Sequence, residues 1–166
     1  MNEQQPNSTI PATPLLRLHL FGGFAATRDN GLAPAERWTR PSAQTLVKLL
    51  AVVPDHQLHR EQAMDICWPD ADQHSATGSL RVALHAARRA LEPELAPRAT
   101  SSYLISDGAL LRLDPATVRI DADEAETAAR AALASRSPGQ LAAALDLFTG
   151  ELLPEDRYAS WAQARR

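Results

Sequence analysis

Ser75-Ala-Thr-Gly-Ser-Leu80-Arg-Val-Ala-Leu-His85-Ala-Ala-Arg-Arg-Ala90-Leu91 is the stretch on which the fold turns. At 100° per residue, Leu80, Leu84, Ala87 and Leu91 share one stripe, which predicts a helix over 75–91 with that stripe buried and Ser75 as N-cap. Gly78, Val82, His85, Ala86 and Arg89 lie opposite, flanked by Arg81 and Arg88. A face of small residues with His and Arg suits close entry into the major groove of DNA. There Arg or His donates to guanine N7 and O6, and a valine methyl packs on the thymine methyl. Gly78, read as part of the first turn, would let backbone N–H groups approach a phosphate. The same face also fits an ordinary solvated helix, where Arg is common, and periodicity alone does not choose.

Working backwards, Arg60 to Cys67 reads as a short helix with Ala63, Met64 and Cys67 inward, closed by Trp68-Pro69. The extended Gln57-Leu58-His59 precedes it. Before that, Pro41 suits the first turn of a helix with Leu46, Leu49, Leu50 and Val53 on one face, stopped by Pro54. Residues Leu15 to Arg28 alternate loosely and predict two antiparallel strands. Asp29-Asn30-Gly31 supplies turn chemistry, and Trp38-Thr39 adds a short strand. Residues 1–14 read as a flexible lead-in.

Working forwards, Tyr103 to Leu113 reads as a hairpin turning at Ser106-Asp107-Gly108. Two short helices, a longer third and a terminal hairpin make a winged helix-turn-helix of α+β class over 15–119. From Asp121 the composition shifts to Ala-rich helices. One is capped by Asp121 and runs to about Ala134. A second starts at Ser137-Pro138, with Leu141, Ala144, Leu145 and Phe148 on one side. A third starts near Glu155 or Asp156 and presents Tyr158, Trp161 and Ala162. Residues 120–166 therefore read as an all-α, TPR-like helical segment, cut within a longer array because repeat helices bury their faces only by stacking.

Composition narrows the function classes. The chain has 166 residues, 45% hydrophobic and 22% charged, which fits globular domains and excludes a collagen-like or wholly disordered chain. No apolar run approaches the roughly 18 to 20 residues of a membrane span, and no secretory signal opens the chain. The single cysteine, Cys67, has no internal disulfide partner, so a reducing, cytoplasmic setting is expected. Residues 15–119 carry 12 basic and 11 acidic groups, and 120–166 carry 5 and 8. DNA binding must therefore come from a local patch.

At Leu58-His-Arg-Glu-Gln-Ala-Met-Asp-Ile-Cys-Trp68-Pro69-Asp70, Ser79-Leu80-Arg81-Val82-Ala83-Leu84 and Ala87-Arg88-Arg89-Ala90-Leu91, the chain resembles the OmpR-type winged helix of SARP-type transcriptional activators. Ile120-Asp121-Ala-Asp-Glu, Ala144-Leu145-Asp-Leu-Phe148, Thr149-Gly150-Glu-Leu-Leu-Pro154 and Trp161-Ala162 resemble the opening of the bacterial transcriptional activator domain that follows it. The resemblance implies an activator that binds direct repeats of double-stranded DNA near promoters and recruits RNA polymerase, with a homodimer on DNA. It places Arg81, Val82, His85, Arg88 and Arg89 on the recognition helix. Arg98 to Arg112 span the approach and the wing.

An enzyme is not expected. Gly22-Gly23 lacks the following Gly-Lys-Ser/Thr of a phosphate loop, and there is no His-Glu-x-x-His. Paired acids such as Asp121/Asp123 stand at helix starts, where capping explains them. No cofactor or metal is expected. The rival to a DNA-binding regulator is a protein-interaction module, a winged helix that no longer binds DNA joined to TPR-like helices.

Overall fold

The computed structural model describes residues 13–30 and 38–166. Residues 1–12 of the expected lead-in, and Gly31, lie outside them. The described chain folds as two small three-stranded sheets and six α-helices.

Strands β1 (Leu16–His19) and β2 (Ala25–Arg28) pair antiparallel. The chain reverses between them at Gly22 and Gly23, with φ of 75° and 127°, rather than at the Asp29-Asn30-Gly31 triplet. Two adjacent glycines reach those angles without a Cβ penalty. Trp38 and Thr39 form no strand. Trp38 instead packs its ring on Phe24, centroids 5.7 Å apart.

Helix α1 (Pro41–Val52) starts on its proline and buries Leu46, Leu49 and Leu50 completely. Val53 is extended, as a residue before proline must be, and the 3-10 turn Pro54–His56 follows. Asp55 and His56 there both have positive φ, a cost on the order of 1 kcal/mol each. Two contacts hold the turn: His56 Nδ1 lies 3.1 Å from the Leu50 carbonyl and Nε2 2.8 Å from Asp123. Next come β3 (Gln57–His59) and α2 (Arg60–Cys67), where Ala63 is fully buried and Met64 and Cys67 are half-buried.

Helix α3 (Gln73–Leu91) begins two residues earlier than Ser75. Asp72 is the N-cap, its carboxylate accepting from the Ser75 N–H at 2.9 Å and the Ser75 hydroxyl at 2.8 Å. An aspartate caps as well as a serine and here sits where the chain leaves extended geometry. Leu80, Leu84, Ala87 and Leu91 are buried as the periodicity demands. The wing is β4 (Leu104–Asp107) and β5 (Leu110–Leu113), turning at Gly108 with φ 57°. The second sheet has the order β3-β5-β4.

A strand with no counterpart in the sequence reading follows. β6 (Val118–Ile120) runs parallel to β1, giving the first sheet the order β2-β1-β6. Helix α4 (Asp121–Ser135) starts on the next residue. Asp121 does more than begin that helix. Its carboxylate accepts from the Leu20 N–H at 2.9 Å and the Phe21 N–H at 3.3 Å, a contact across 100 residues. Helix α5 (Pro138–Leu145) packs on α4 and is capped by Ser137. Only Ala144 of its expected inner face is buried; Leu141, Leu145 and Phe148 are exposed. The third expected helix is reduced to a 3-10 turn, Pro154–Asp156, and a short α6 (Ser160–Gln163). Ala162 is buried there, while Tyr158 is 88% exposed.

This C-terminal stretch closes back on the first sheet. Gly22 and Leu153 donate to the carbonyls of Glu151 and Leu20, both at 2.8 Å. A Cβ on Gly150 would lie 3.1 Å from the Gly22 nitrogen, so a glycine permits this approach. Lys48 of α1, its side chain 5% exposed, reaches Glu155 at 2.8 Å and Asp156 at 2.7 Å. Arg165 donates to the Ala51 carbonyl at 2.7 Å and pairs with Asp123 and Glu126. One core joins β1, α1, α3 and the wing through Leu16, Leu18, Leu50, Leu84 and Tyr103.

Candidate nucleic-acid interface

The outer face of α3 is built by its buried one. Because Leu80, Leu84, Ala87 and Leu91 fix the helix rotation, Arg81, Val82, His85 and Arg89 are left exposed, Val82 at 41%. The 19 residues of α3 hold three arginines and no acid. The two acids just beyond it are committed elsewhere. Glu92 is buried and accepts from the Ser101 hydroxyl at 2.6 Å and the Ser102 N–H at 3.0 Å. Glu94 takes both ends of the Arg28 guanidinium, and that hydrogen bonding holds its carboxyl below the usual range. Among the described residues, Arg81, His85 and Arg89 have no acidic partner. The basic patch is thus a product of the fold, although the chain's net charge is −3.

Val82, His85, Ala86 and Arg89 also line a groove of about 380 Å3 whose other wall is Thr39 and Arg40, the residues leading into α1. Those two came from no sequence signal, since nothing local in Trp38-Thr39-Arg40-Pro41 links them to a helix 40 residues on. The packing of α1 on α3 brings them together.

The remaining expected residues divide. Gly78 lies on the open side, with nothing within 4 Å of where a Cβ would be. Because α3 starts at Gln73, however, Gly78 is in the second turn and its N–H is committed to the helix ladder. The expected phosphate approach by that N–H does not hold; what remains is the space left by the missing side chain. Arg88 turns away from the outer face: its Nε donates to the Leu104 carbonyl at 3.0 Å and an Nη to the Ser106 hydroxyl at 2.8 Å. It straps α3 to β4, and burial together with the neighbouring Arg60 charge lowers its pKa. Arg98 is exposed in the loop before the wing, with φ 65°. Arg112 sits half-buried on β5, 3.8 Å from the Asp114 carboxylate.

Cys67 is half-buried, and burial pushes its thiol up to about 11, which leaves little thiolate at neutral pH. Among the described residues no group of three or more His, Cys, Asp or Glu is placed to hold a metal ion. No helix there is long and apolar enough to cross a membrane.

No protein-family model matches the sequence, and no curated protein matches it. Among solved structures, the chain is similar to Mycobacterium tuberculosis EmbR in complex with a low-affinity phosphopeptide, with a TM-score of 0.65 at 19% identity. The match covers 91% of this chain and 40% of that one, so the present chain spans well under half of EmbR's length. The likeness is one of fold: a winged helix followed by a helical segment, the architecture seen here.

Proposed function

We propose that the chain is a sequence-specific, DNA-binding transcriptional regulator of SARP type, an activator that works by binding rather than by chemistry. The observation that carries this reading is the outer face of α3: exposed Arg81, Val82, His85 and Arg89 on a helix without acids, the two acids that follow it, Glu92 and Glu94, being bonded elsewhere. In this reading α3 enters the major groove, Arg40 and Arg98 meet phosphates beside it, and β4–β5 reaches the adjacent minor groove. Arg88 then acts as a positioning residue, setting the angle between helix and wing. Residues 120–166 are the start of the activator domain, through which two copies pair on direct repeats and contact RNA polymerase.

A second reading, a protein-interaction module, draws on the exposed Leu133 at 65% and Leu145 at 61% in the acidic helical segment. Selection of random duplexes at low and moderate salt separates the two. The regulator enriches a short repeated motif, and Arg81→Ala or Arg89→Ala costs ~1–3 kcal/mol on that site with less effect elsewhere. No enrichment by the folded chain sinks the regulator and favours the module.

A further inference from the structure

A second pair of arginines lies off the outer face of α3, against the wing: Arg60 at its Gly108 turn and Arg88 along β4. Arg60, the first residue of α2, donates from Nε to the Gly108 carbonyl at 3.1 Å, while its backbone N–H donates to the Ala109 carbonyl at 2.8 Å. Arg88 is anchored on the same hairpin through Leu104 and Ser106. Both side chains are half-buried, and among the described residues neither makes an ion pair. Arg112, by contrast, has Asp114. Like charges held together and partly out of water disfavour one another unless an anion joins them. The fork of Arg60 is fixed at Nε, which leaves both of its Nη groups free to donate; such a planar fork suits the oxygens of a phosphate.

The position of the pair identifies its occupant. In a duplex, the sugar-phosphate strand is what separates the major groove from the minor one. Arg88 ties α3 to the wing, and Arg60 holds the wing's turn from the start of α2, so both flank the place where that strand would pass. We infer that Arg60, braced beside Arg88 at the α2–wing junction, is a phosphate-binding residue that seats the DNA backbone passing between α3 and the wing.

The inference rests on the DNA-binding reading, and the test separates the two. Binding of the full chain to duplexes of mixed sequence is measured across a salt series, for the wild type, Arg60→Gln and Arg60→Lys, with melting curves as a check on folding. One lost phosphate contact lowers the slope of log K against log salt by about 0.9, and binding at 0.1 M salt by roughly 8-fold on every duplex. Arg60→Gln is expected to show both effects. Arg60→Lys, which keeps the charge but loses the Gly108 bond, is expected to keep the wild-type slope. Equal slopes for wild type and Arg60→Gln overturn the assignment alone, as does an Arg60→Lys slope that falls with Arg60→Gln, the mark of a mere strut for the wing. Failure of the wild type to bind any duplex overturns both the assignment and the regulator reading.

Discussion

Replacing Lys48, the single lysine of the chain, tests how the C-terminal stretch is held. Its ammonium is almost wholly buried, 2.7–2.8 Å from Asp156 and Glu155 and 5.5 Å over the Phe24 ring. The partners are less enclosed, Glu155 at 38% and Asp156 at 22% side-chain exposure. This asymmetry fixes the order of the variants. Lys48→Met removes the buried charge, fills the same space and leaves two carboxylates that water can reach, so it costs about 2–3 kcal/mol. Glu155→Gln with Asp156→Asn leaves the ammonium buried without a counter-charge and costs about 3–5 kcal/mol, the usual range for an orphaned buried ion. The triple variant removes every charge and loses less than the two effects combined, because the residues act as one network. At this chain length Lys48→Met lowers Tm by about 4–12 °C. Urea unfolding of all four proteins gives the ranking. A Lys48→Met protein less stable than the double carboxamide variant, or strict additivity in the triple, refutes the buried-charge argument.

Three other outcomes follow from the same structure. Both ring nitrogens of His56 face oxygen acceptors, which only the imidazolium satisfies at once. The hydrogen bond with Asp123 accordingly raises the His56 pKa against the effect of burial. A raised folded-state pKa gives stability that is complete below about pH 6.5 and is lost as pH climbs through the folded value. His56→Asn, which tolerates the positive φ, should cost about 1–2 kcal/mol at acid pH and progressively less above it, read by urea unfolding over a pH series; a flat difference would contradict this. Gly78→Ala meets no atom and removes a helix-interior glycine, so it should stabilise by about 0.5–1 kcal/mol while weakening binding to the selected duplex. A destabilised variant would mean that the helix phase is wrong. Cys67 should react slowly with an aromatic disulfide reagent near neutral pH and quickly once the chain is unfolded; equal rates would show that the thiol is not shielded.

What could be read in the sequence was local. The stripe of α3, the Pro41 start and Pro54 stop of α1, and the Asp-Gly turn of the wing each depend on neighbours within a few residues, and each is where the spacing put it. The misses are non-local. Val118-Arg119-Ile120 is too short to announce a strand, and its partner β1 is 100 residues away. Asp121 reads as the cap of α4, yet the cap position is Ile120; Asp121 is the first helical residue, and its oxygens accept from Leu20, Phe21 and Ala122. The stripe Leu141, Leu145 and Phe148 has helical spacing, but spacing says only that a face is apolar, not that something covers it. The candidate site behaves likewise. Arg81, Val82, His85 and Arg89 could be placed by rotation about one axis, whereas Arg40 and Arg60 reach the surface from other helices. Arg88 turns inward because β4 offers it a carbonyl, a partner no helical wheel contains.

The abutment of β6 and α4 at Ile120–Asp121 has a mechanical consequence. No linker residue separates the strand that completes the first sheet from the helix that opens the C-terminal segment. The two halves are therefore joined as a beam welded at its foot, not as weights on a cord. Force applied to α4 would act on β1 through the adjoining β6, and β1 shares one core with α3. A partner gripping the helical segment would steer the angle at which the basic face meets its target, rather than merely raising its local concentration. Inserting a few glycines after Ile120 would turn the beam into a hinge and uncouple grip from angle.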